Sequence, residues 1–89
     1  MQPEYEWDED KRVSNLKKHA LDFQDIIHFV WDNALISEDQ RESYGEVRYR
    51  ALGWINQQLV MLVFTLRGEC VRVISLRKAT RQEKQHYGN

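Results

Sequence analysis

Residues 59–66 are apolar at every position but Thr65, and short polar connectors bound this run of eight on both sides. It is far short of the roughly 20 residues that a membrane-spanning helix needs. A short run with no polar face suits a central β-strand covered on both sides. The flanking segments agree. Residues 47–53 alternate, with Arg48 and Arg50 on one face and Val47, Tyr49 and Ala51 on the other. Residues 70–77 are rich in β-branched side chains and carry Arg72 between Val71 and Val73. The connectors, residues 54–58 and Arg67-Gly68, are short enough for hairpins, and Gly68 supplies the backbone freedom of a tight turn. The sequence therefore predicts a three-stranded antiparallel meander.

Upstream, residues 5–7 read as a short strand. Asp8 is placed as an N-cap, with Glu9 and Asp10 at the positive end of a helix and Lys17, Lys18 and His19 in its last turn. Asp22 reads as a second N-cap, with Leu21 and Ile26 in the hydrophobic-staple positions. Phe23, Ile26, Ile27 and Val30 share one face, which predicts a short buried helix over 23–31. Residues 34–36 suggest a small strand and residues 37–46 a polar loop. Downstream, Thr80 and Glu83 stand at capping-box spacing, so a short helix closes the chain with Tyr87 as its anchor.

The expected fold class is α+β: a short N-terminal strand, two helices, an antiparallel sheet meander and a short C-terminal helix. With no repeat or Gly/Ser linker, residues 1–89 read as one domain. A single cysteine, Cys70, excludes an internal disulfide and a thiolate-rich zinc site. The first ten residues carry five acidic groups and no basic one, the reverse of a secretory signal, so a cytoplasmic location is expected. The net charge of −1 hides a division. Residues 1–46 hold twelve acidic and five basic side chains, residues 47–89 two acidic and eight basic. The second half is a cationic element suited to phosphate polyanions, carried by an acidic first half.

Taken in order, Tyr5-Glu6-Trp7-Asp8, Lys11, Asn15, Lys18-His19 and Phe23 resemble the opening of the BrnT-type toxins of toxin–antitoxin pairs. Glu46-Val47-Arg48 with Gly53, residues 65–68, residues 72–80, and Arg81, Glu83 and Tyr87 continue the likeness. It runs from Tyr5 to Tyr87. The chain departs at Ala20, where a glycine usually follows the Lys-His pair, and at Leu76, where Ser-Ala-Arg is typical. The resemblance implies a RelE-like fold and a ribonuclease activity. It further implies a BrnA-like antitoxin with a ribbon–helix–helix domain, and contact with operator DNA only through that partner.

The residues themselves offer no convincing metal cluster: His19 and His28 lie nine apart, and His28 with Asp32 is a bare helical pair. RNA brings its own nucleophile, the 2′-hydroxyl. A metal-free nuclease needs a proton acceptor, a proton donor and fixed cations around the phosphate, and no cofactor. Arg48, Arg72 and Arg77 are expected to hold the scissile phosphate, helped by Lys78 and Arg81. Lys17 and Lys18 are candidate RNA contacts, and His19 or Tyr87 the proton-transfer group. Each has a plainer reading: Arg48 paired with Glu46, Glu83 only capping Thr80, Tyr87 only pinning the last helix. Strand parity sets Arg72 and Arg77 on opposite faces unless a bulge intervenes or Arg77 lies past the strand's end. The run Lys78-Ala79-Thr80 into the cap favours the second. The alternative class is a non-catalytic protein-binding module. A DNA-binding regulator lacks a recognition-helix pattern.

Overall fold

The structure is a computed structural model and describes residues 3–88. Strand β1 (Glu4–Trp7) leads into α1 (Glu9–His19) and a 3-10 helix (Phe23–His28). Strands β2 (Leu35–Glu38), β3 (Tyr49–Ile55), β4 (Gln58–Arg67) and β5 (Cys70–Lys78) follow, and α2 (Arg81–Gly88) closes the chain. The strands form one mixed sheet in the order β1-β5-β4-β3-β2. The expected meander is its centre, with β1 added parallel to β5 and β2 antiparallel to β3. The α+β architecture is as expected, and β4 lies mid-sheet, where its apolar run requires it.

Two helices start where local chemistry dictates. The Asp8 carboxylate accepts from the Asp10 and Lys11 N–H groups, and α2 opens on the reciprocal Thr80–Glu83 box. The helix expected over 23–31 is instead a 3-10 helix ending at His28. Phe29 turns extended and bridges Ile55, and the Val30 N–H reaches the Trp54 carbonyl, so the sheet claims the backbone that would have prolonged the helix. The segment expected as a strand over 47–53 begins at Tyr49 and runs on to Ile55, leaving only Asn56-Gln57 as the turn into β4. The small strand expected at 34–36 shifts to Leu35–Glu38.

One sheet face carries the main core: Phe23, Ile26, Phe29, Leu62, Val73 and Leu76 are all essentially excluded from solvent beneath α1 and the 3-10 helix. Burying each such side chain stabilises the fold by about 1.5–3 kcal/mol. Asn15 of α1 fills the edge of β5 beyond the end of β1. Its amide nitrogen donates to the Leu76 carbonyl at 2.8 Å, and its oxygen accepts from the Leu76 N–H at 3.1 Å. The side chain thus stands in for a missing strand. The opposite sheet face carries a smaller cluster of Leu52, Leu59, Met61 and Ala79, with Trp54 and Tyr87 packed on it.

The expectation that Arg77 lies beyond the strand is corrected. Arg77 is within β5, opposite Met61, and the register slips upstream of it. Val63 opposes Ser75 while Phe64 opposes Val73, which leaves Ile74 as a bulge. Val71, Val73 and Leu76 therefore all enter the main core, and Arg72 and Arg77 both fall on the second face.

Candidate active site

The second face is a grid of cross-strand rows. Leu35, Leu52, Met61 and Arg77 form one row, Ser37, Arg50, Val63 and Ser75 the next, and Thr65, Arg72 and Glu6 a third. The Arg72 and Arg77 backbones are thus about four β4 residues apart, roughly 13 Å at about 3.3 Å per residue.

Each of the three arginines singled out in the sequence holds a carboxylate. Arg77 binds Glu83 fork to fork at 2.8 and 2.9 Å, Arg72 donates to Glu6 at 2.6 Å, and Arg48 donates to Glu46 at 3.2 Å. The Arg48 guanidinium also lies 4.1 Å over the Tyr44 ring, and the Tyr44 hydroxyl donates to the buried Asp39 carboxylate, which Arg41 clasps. These partners leave their marks on acidity. Arg77 above all holds the Glu83 carboxyl down to about 2, too weak a base to collect a proton at neutral pH. Cys70 first and then Arg72 hold Glu6 below its ordinary value.

His19 ends α1, half-buried and close enough to Arg77 to feel its charge. Burial, then the Lys18 and Arg77 cations, push its pKa below 6.5, which favours a neutral imidazole able to accept a proton. Tyr87 is pinned: its hydroxyl donates to the Asn33 carbonyl at 2.9 Å, and its ring meets Trp54 edge-on at 5.9 Å. Lys17 and Lys18 lie exposed in the last turn of α1, and Arg81 is exposed at the start of α2. Lys78 is also exposed, on the face opposite Arg77 by strand parity.

One residue escaped the sequence reading. Among the described residues five arginines are half-buried: Arg12, Arg48, Arg50, Arg72 and Arg77. Four are ion-paired. Arg50 is not, and its Nε is buried without a hydrogen-bond partner. It lines a cleft of about 410 Å³ between β2 and α2, with Leu35, Leu52, Met61, Glu83 and His86. The available signal was its place two residues from Arg48 on the same strand face. Among the described residues, no three His, Cys, Asp or Glu side chains gather as a metal site would need, and no helix is long and apolar enough to cross a membrane.

A mixed sheet with an arginine-rich face and an imidazole at its rim is suited to phosphodiester handling. The family model described as "Ribonuclease toxin, BrnT, of type II toxin-antitoxin system" matches residues 7–83. The chain belongs to this family of ribonuclease toxins. A search of curated proteins gives no match.

Proposed function

We propose that the chain is a metal-independent endoribonuclease whose second sheet face binds the RNA backbone. The observation that carries the reading is the Ile74 bulge, which turns Arg72 and Arg77 to one face beside the Arg48–Arg50 end of β3. Their ion pairs do not forbid this role. The Arg48, Arg72 and Arg77 side chains keep 21, 25 and 27% of their surface exposed. The single-nitrogen pairs of Arg48 and Arg72, only partly buried, are worth about 1 kcal/mol each, and the bidentate Arg77–Glu83 pair more. A phosphate oxygen can take the carboxylate's place in the same fork.

In this reading Arg77 holds the scissile phosphate and Arg72 and Arg48 hold its neighbours, with Lys17, Lys18, Lys78 and Arg81 adding long-range attraction. The 2′-hydroxyl attacks phosphorus and gives its proton to a ring nitrogen of neutral His19. The bond to the 5′ oxygen breaks, and that oxygen takes a proton from water. The products are a 2′,3′-cyclic phosphate and a 5′-hydroxyl. Tyr87 positions α2, and through it Glu83. The type II family implies an antitoxin. We assign a BrnA-like ribbon–helix–helix partner that lays acidic groups over Arg48 and Arg77 in the cytoplasm and alone contacts operator DNA.

The test is RNA cleavage by the purified chain in EDTA beside Arg77→Gln. Expected are cyclic-phosphate ends and a loss of about 100-fold or more in the variant. Equal cleavage by both proteins, or activity abolished by EDTA and restored by a divalent ion, overturns the mechanism.

A further inference from the structure

We propose that the cleft between β2 and α2 is a nucleotide subsite, where Arg50 binds a phosphate of the RNA and the Leu35–Leu52–Met61 wall takes the adjoining base. This rests on the ribonuclease reading and adds to it a place and a residue.

Three observations carry it. The first is the orphaned donor. A buried guanidinium N–H without an acceptor is costly to the fold. Every other half-buried arginine of the described residues has a carboxylate, whereas Arg50 has none: its Nε is buried without an acceptor, and the residue lines the cleft. An anion entering the cleft would give this guanidinium the charged partner that the fold does not.

The second is the shape and chemistry of the wall. Leu35, Leu52 and Met61 form one cross-strand row beside the Arg50 row. Leu52 and Met61 are buried, while Leu35 leaves 44% of its surface in solvent. An apolar wall next to one unpaired cation matches a base attached to a phosphate. The volume of about 410 Å³ lies within the range of small-molecule sites.

The third is continuity with Arg77. Glu83 lines this cleft while clasping Arg77, so the two arginines flank one carboxylate. Arg50 and Arg77 stand two strands and one row apart, about 12 Å between backbones at the usual sheet spacings. Two arginine side chains span that distance onto successive phosphates. When a phosphate takes the Arg77 fork, Glu83 keeps the Thr80 N–H, and the two arginines on either side offset its charge. His86 and Gln82 on α2 complete the rim.

The experiment titrates the full chain and Arg50→Met with uridine 3′-monophosphate and with uridine, following backbone amides by NMR. Expected shifts fall on Arg50, Leu52, Met61, Glu83 and His86, with the nucleotide binding at least about tenfold more tightly than the nucleoside. Arg50→Met erases that preference but keeps or raises the urea midpoint, because it removes an unpaired buried donor. Leu35→Ser, at an exposed position, weakens nucleotide and nucleoside alike. Equal nucleotide affinity in the wild type and Arg50→Met, or no binding to either, overturns the subsite. So does a loss confined to antitoxin binding, which would assign the cleft to the protein partner. RNA cleavage by the wild type, measured alongside, separates the two readings: cleavage without Arg50 dependence sinks the subsite alone, and no cleavage sinks the enzymatic mechanism.

Discussion

Arg77 and Glu83 meet through both nitrogens and both oxygens, and the same Glu83 Oε1 also accepts from the Thr80 N–H at 2.9 Å. One carboxylate therefore ties the end of β5, the start of α2 and the wall of the cleft. It also occupies the fork that RNA would use. Glutamine can still cap Thr80 but carries no charge. Glu83→Gln is expected to lower stability by about 1–3 kcal/mol, because it removes a bidentate, charge-assisted pair. It should also tighten RNA binding and steepen its salt dependence, because Arg77 becomes one more cation available to phosphate. Binding isotherms at two salt concentrations check this, and an unchanged slope would argue against Arg77 at the backbone.

The same pair sets an acid limit. Arg77, assisted by the Thr80 N–H, lowers Glu83 from 4.5 to about 2, so the unfolded chain takes up that proton first as pH falls. The stability it contributes is complete above about pH 4.5 and is lost between about 4.5 and 2. Asp39 shifts in the same direction, held chiefly by Arg41. Urea midpoints of the wild type are expected to fall across this window, and those of Glu83→Gln less steeply. Parallel curves would show that the pair does not couple to folding.

The meander, both N-caps and the Thr80–Glu83 box were legible in the sequence because each depends on a few neighbouring residues and a simple period. Of the arginine pairings only the local one, Arg48 with Glu46, was. Arg48 meets Glu46 two residues away, but Arg72 meets Glu6 only because β1 adds parallel to β5, 66 residues along the chain. Nothing in Ile74 or Ser75 marks a bulge. The neighbouring Leu76 is anchored from outside by Asn15, and that contact exists only in the folded molecule. Arg50 was visible on the right strand face, but its lack of a partner is a property of the whole fold.

Asn15 is expected to be among the most sensitive positions. Its amide group makes three hydrogen bonds: two with the Leu76 backbone and one to the Leu21 carbonyl at 3.0 Å. Asn15→Ala strands the buried Leu76 N–H and carbonyl, and is expected to cost about 2–4 kcal/mol. Asn15→Asp turns the donating end into a charge aimed at two carbonyls and should fare no better. Chemical denaturation measures both; a loss below about 0.5 kcal/mol would mean that water replaces the clamp.

Ala20 follows α1 with φ of 59°, in the left-handed region, and its N–H reaches the Leu16 carbonyl at 2.9 Å. An L side chain is strained there, while glycine adopts the geometry freely. Ala20→Gly is expected to stabilise the chain by about 0.5–1 kcal/mol, after glycine's larger unfolded-state entropy is counted. A lower urea midpoint would show that the cap does not hold this conformation.

His19 and Arg77 allow electrostatics to be separated from phosphate binding. Burial is the larger cause of the lowered imidazole pKa, and the Lys18 and Arg77 cations lower it further by disfavouring the charged ring. Removing either cation must therefore raise it. In Arg77→Gln and in Lys18→Gln the His19 Cε1 proton, followed by NMR, is expected to titrate at higher pH than in the wild type. If neutral His19 takes the 2′-hydroxyl proton, the acid limb of the cleavage profile moves upward by the same interval in Lys18→Gln, where Arg77 is intact. A moved titration with an unmoved cleavage profile would leave His19 a bystander and transfer the base to another group. An unmoved titration would mean that burial alone sets the ring's acidity.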